Sequence, residues 1–109
     1  MNERNWIWLP HAAHFCGAHE CRFRMATCVG KYIVSTVGQY DPKHTGVFEE
    51  IGFRRLYETM VFIAKEATVC KTCPVEISCH DDLETESYND GKAAFAGHLA
   101  MCRKWSKKK

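Results

Sequence analysis

The sequence predicts an α+β domain: a three-stranded, mostly antiparallel sheet with one C-terminal helix packed on it. Three stretches lead to that expectation. Residues 21–40 alternate in polarity around a turn signal, residues 56–63 repeat a strand pattern, and "GKAAFAGHLAMCRKW" reads as a helix to about Trp105. With 109 residues, 46% of them apolar and 26% charged, the chain suits one globular domain over 1–109.

The elements follow in order. Residues 1–20 read as irregular, with Trp6, Ile7, Trp8 and Leu9 covering one edge of the core before Pro10 ends any regular element. Cys21, Phe23, Met25, Thr27 and Val29 alternate with Arg22, Arg24, Ala26 and Cys28, the period of a half-buried strand. Gly30-Lys31 fits a two-residue turn with Gly at its first central position, and "YIVSTV" returns. That turn sets Thr27 opposite Val34, Met25 opposite Thr36 and Cys28 opposite Ile33. "YDPKHTG" is loop chemistry, and His44 within it is expected in solvent; "FEEIGF" suggests a short helical turn. "LYETMVFI" supplies the third strand, in a pattern better tolerated in a buried strand than at an edge. Ser87-x-x-Asp90 resembles a capping box before the helix of residues 90–105. The acidic block Asp81, Asp82, Glu84, Glu86 and Asp90 would then sit at the helix N-terminus. The basic tail, residues 106–109 with Arg103 and Lys104 before it, would sit at the other end, so the dipole accounts for the segregation of charge.

A net charge of +2 is too small to imply nucleic acid by itself. "MNERNWIWLPH" does not read as a secretory signal, and no apolar run reaches membrane-helix length. The expected compartment is a reducing cytoplasm. The seven cysteines, an odd number, then point to metal or buried thiols rather than a complete disulfide set.

"CKTCPVEISCH" opens with Cys70-x2-Cys73-Pro74, the spacing of a metal knuckle. His98 and Cys102, four residues apart on the helix, share a face with Phe95 and Leu99 that is expected to point inward. Cys70, Cys73, His98 and Cys102 would make a Cys3His set suited to structural zinc, with Cys79 or His80 able to replace one member. The competing reading leaves Cys70 and Cys73 as loop thiols, packs Cys102 in the core and bonds His98 to a backbone carbonyl. A second cluster, His11, His14, Cys16, His19 and Cys21, could hold another ion or simply pack beside the tryptophans.

His80, Asn89 and His98 occur in the order a ββα-metal (HNH-like) nuclease requires: general base, orienting amide, metal ligand. The short interval from His80 to the helix and its acidic character oppose that reading. There is no nucleophile elbow or phosphate-cradling glycine loop. Arg22 and Arg24 on one strand face, with Tyr40 and the basic C-terminal end elsewhere, could hold single-stranded nucleic acid or simply be solvated. An acidic segment next to exposed sheet edges could instead serve protein recognition, imitating nucleic-acid phosphates or docking on a basic partner.

Taken together, "WLPHAAHF", "CRFRMATCVGKYIVSTVGQY", "YETMVF" and "YND…GHLAMC" resemble small uncharacterised proteins of bacteriophages and prophages. The resemblance implies an origin inside an infected bacterium and carries over no activity, ligand or catalytic residue. The expectation is a non-catalytic accessory protein that binds a host protein or nucleic acid and is stabilised by zinc. A metal-dependent nuclease is the second reading.

Overall fold

In the computed structural model, which describes residues 5–9, 20–51, 54–66, 75–78 and 82–108, strands precede a single helix. They are β1 (Ile7–Trp8), β2 (Cys21–Val29), β3 (Tyr32–Tyr40), β4 (Tyr57–Glu66), β5 (Val75–Ile77), β6 (Glu84–Tyr88) and α1 (Gly91–Ser106).

The β2–β3 hairpin has the expected register: Met25 faces Thr36, Thr27 faces Val34 and Cys28 faces Ile33. Its turn places Gly30 at φ +64°, where a side chain would be strained. β4 lies on the other side of β3, pairing Val61 with Val34, Thr59 with Thr36 and Tyr57 with Gly38. Gly38 lets the Tyr57 ring lie across the strand, since a Cβ there would come within 2.1 Å of the ring. Phe23 meets that ring edge-on, with centroids 5.2 Å apart.

The sheet is wider than the three strands expected, although the class remains α+β. β1 adds to the outer side of β2, pairing Ile7 with Cys28 and Trp8 with Thr27, within the segment expected to be irregular. β5 and β6 lie end to end along the far side of β4, both antiparallel to it, giving five strand positions. β4 is therefore interior, which is why Glu58, Thr59, Val61 and Phe62 are buried on both of its faces. The added strands escape sequence reading for physical reasons. β1 and β5 are only two and three residues long, too short to show a period. β6, "ETESY", is polar because an edge strand need bury little.

That last strand also corrects the expected role of the acidic block. Glu84 and Glu86 lie in the sheet, not in the first turn of α1, which contains no acid. Asp90 alone caps the helix, its carboxylate accepting from the Ala93 amide at 2.7 Å. Arg103 and Lys104 do occupy the last turn, where the dipole favours them. In the loop after β3, residues 47–51 form no helical turn. The Glu49 amide bonds the Tyr40 carbonyl at 2.8 Å and the Ile51 amide bonds that of Arg55 at 2.9 Å. Gly52 and Phe53 lie outside the described residues.

Helix α1 buries Ala94, His98, Met101 and Cys102 against the sheet. Met101 and Cys102 join Trp6, Val29, Val34 and Val61 in the main apolar cluster, edged by Tyr32, Leu99 and Trp105. Phe95, expected to face inward, is 52% exposed. Among the described residues, no helix is long and apolar enough to cross a membrane.

Candidate functional site

Two places combine chemistry with geometry: a polar layer under the helix and the acidic edge of the sheet.

The polar layer grows from three threonines. Threonine is β-branched and suits a strand, but a buried hydroxyl needs a partner. Thr27 on β2, Thr36 on β3 and Thr59 on β4 are fully buried and point to the face that receives α1. His98 descends between them. Its Nε2 lies 2.9 Å from the Thr27 hydroxyl and its Nδ1 lies 2.6 Å from that of Thr36. Thr36 and Thr59 share a further bond of 2.6 Å, and the Tyr88 hydroxyl on β6 bonds Thr59. Trp8 stacks on the imidazole with centroids 5.6 Å apart. His98, Thr36 and Thr59 can each donate to one neighbour and accept from the other, so a neutral imidazole completes the series with one ring N–H. Burial holds the ring neutral, lowering its pKa to about 4. The series joins four strands and the helix. Its bonds tie these elements together.

This arrangement decides where several expected site residues stand. His98 meets side-chain hydroxyls, not a backbone carbonyl, and a metal ion at either nitrogen would have to displace a threonine. Cys102 lies in the apolar cluster. Cys70, Cys73, Cys79 and His80 lie outside the described residues, as do His11, His14, Cys16 and His19. Among the described residues no group of three or more His, Cys, Asp or Glu is placed to hold a metal. Cys21 packs with Val37, Tyr40 and Ile51. Burial pushes its thiol up to about 11, helped by Glu20 and opposed by Arg24 and the Gly38 backbone. Cys28 is a buried thiol directed at the Gly30 carbonyl. Asn89 is exposed just before the cap, while His98, the metal ligand of the nuclease reading, is wholly enclosed.

Arg22 is not a loose cation. It donates to Asp41 at 3.0 Å and lies over the Phe48 ring, 6.0 Å from its centroid. Asp41 in turn accepts from the Thr45 and Gly46 amides, so the pair shapes the loop. Burial alone would raise the Asp41 carboxyl, but those amides and the Arg22 guanidinium outweigh it and hold it low. Arg24 is exposed.

The acidic edge is the second place. The Val61 and Ile63 carbonyls accept from Leu83 and Ser78, whereas the Ala64 amide donates to Lys31 beside β3. Alternation then turns Glu84, Glu86 and Tyr88 into the β4 ladder and points the backbone amides and carbonyls of Thr85 and Ser87 outward. No strand among the described residues pairs with that outer edge. Above it, β6 and α1 leave a groove of about 310 Å³ between Glu84, Glu86 and Tyr88 on one wall and Gly97, Ala100 and Met101 on the other. Glu84 closes one end by accepting from Lys104 at 2.6 Å and from the Trp105 indole at 2.7 Å. Those bonds, with Lys104 first, outweigh burial and lower its carboxyl. Glu86 is exposed and has no ion pair among the described residues.

In the sequence the threonines and Tyr88 carry no motif that marks them as functional residues. A signal existed: one threonine at matching parity in each predicted strand, facing a helix with one inward histidine. Comparison with protein-family models, curated proteins and solved structures finds no match to this chain.

Proposed function

We propose that this protein is a non-catalytic binding module that docks a basic, extended segment of a host protein along β6. One observation carries the reading: Glu84 and Glu86, at the heart of the acidic block, lie in β6, which among the described residues is an edge strand of the sheet. Main-chain groups of Thr85 and Ser87 offer a partner strand its hydrogen bonds, and the acids select its charge. Asp82 and Glu86 favour lysine or arginine and repel phosphate, so the same edge argues against nucleic acid. The ion pair of Arg22 with Asp41 further weakens the sheet face as a phosphate site. The burial of His98 removes a ligand that the nuclease reading requires. The resemblance to phage proteins supports a partner in the cytoplasm of an infected bacterium.

The test uses amide NMR spectra titrated with a ten-residue peptide of alternating lysine and valine. Shifts should centre on β6 and disappear in Thr85→Pro, which removes an outward amide and spares the β4 ladder. A glutamate–valine peptide should leave the spectrum unchanged. Shifts that persist in Thr85→Pro, or that follow single-stranded DNA instead, would refute the assignment.

A further inference from the structure

We infer that the groove between β6 and α1 is an anchor pocket for one aliphatic side chain of the docked segment, set two residues from a lysine or arginine that pairs with Glu86. The inference rests on strand addition at β6 and specifies what the added strand must carry.

The geometry of an added strand gives the spacing. Side chains alternate between faces, so those on the helix side recur every second residue, roughly 6.6 Å apart. One of them lies beside Glu86. The next lies toward Glu84 or toward Tyr88, over the groove. Glu84 already pairs its charge with Lys104 and accepts from Trp105 on its other oxygen, so it offers less to an incoming cation than Glu86, which is unpaired among the described residues. Glu86 therefore takes the basic residue. The groove takes the other, because its helix wall is Gly97, Ala100 and Met101 and its volume of about 310 Å³ admits an aliphatic side chain.

Two features keep the groove open. Ala100 is exposed and projects only a methyl group. At Gly97 even a methyl group would come within 2.2 Å of the Tyr88 hydroxyl, so the helix approaches the strand only because that position is bare. A longer side chain at either position would occupy the anchor's place. The Lys104–Glu84 pair caps one end and limits how far along the groove a side chain can lie.

The experiment compares two lysine-bearing peptides that differ only at the anchor, one with leucine and one with glycine, by fluorescence anisotropy. On the wild-type protein the leucine peptide should bind at least about tenfold tighter, a modest share of full leucine burial. Ala100→Gln, an exposed helix change, should reduce the leucine peptide to the glycine peptide's affinity. Glu86→Gln should weaken both peptides alike and flatten their salt dependence. Equal affinities on the wild type, with binding still lost in Thr85→Pro, would overturn the pocket and leave strand addition standing. Absence of binding by both peptides, or binding indifferent to Thr85→Pro, would overturn both.

Discussion

His98 meets the sheet through two hydroxyls and an indole face, and its protonation is coupled to folding. Burial lowers its pKa to about 4 from the 6.5 of an exposed ring. As pH falls, the unfolded chain therefore takes up this proton first. The contribution of the neutral ring is intact above pH 6.5 and is lost as pH drops from there through 4. A difference of that size corresponds to roughly 3 kcal/mol. Asp41 and Glu84, whose carboxyls are lowered, give stability present above the usual carboxylate range and lost at more acid pH. Urea unfolding across pH 4 to 6.5 should show a fall in stability that is largely absent in His98→Gln. That variant should be less stable at pH 7 yet retain whatever zinc the wild type carries, because the imidazole serves the threonines. A zinc content that drops with the substitution would restore His98 as a ligand. At this scale the sequence revealed that His98 and Cys102 point inward together. It did not show the threonine partners, because three separate strands must meet before their hydroxyls converge.

The contact between α1 and β6 turns on a glycine that ordinary helix propensity disfavours. Gly97→Ala in an isolated helix would gain about 1 kcal/mol. Here the new methyl group meets the Tyr88 ring and hydroxyl, so Tyr88 must move and its bond to Thr59 is strained or lost. The substitution should cost about 1–3 kcal/mol in denaturant unfolding. In a Tyr88→Ala background the obstacle is gone, and the same change should turn stabilising. A cost that persists without the tyrosine would show that some other contact requires Gly97. Elements with a strong local signal were legible in the sequence: the hairpin with its register, β4 and the helix. β6 was not, because glutamate, threonine and serine give an edge strand no apolar period. The charge of its acids instead suggests the helix dipole, yet of the described acidic residues only Asp90 stands at that end, as the cap.

Across the whole molecule, protection should grade from the centre of the sheet outward. Residues 33–38 of β3 are all buried, flanked by β2 and β4 and covered by α1. β1 and β5 are short and lie at the margins. The fold class was legible because a hairpin, one more strand and a helix already define α+β. The width of the sheet was not, since its margins are set by pairing with distant strands rather than by local pattern. Native-state hydrogen exchange should therefore be slowest in β3 and the middle of β4, near the global unfolding limit, and fast in β1 and β5. Within β6 the rates should alternate. The amides of Glu84, Glu86 and Tyr88 enter the β4 ladder and should be protected, while those of Thr85 and Ser87 face outward and should exchange quickly. The basic valine peptide should slow the second set and leave the first unchanged. Uniform protection along β6 in the unbound protein would mean that another part of the chain already occupies the edge. In that case the acidic strand belongs to the fold alone, and the docking surface must be sought elsewhere.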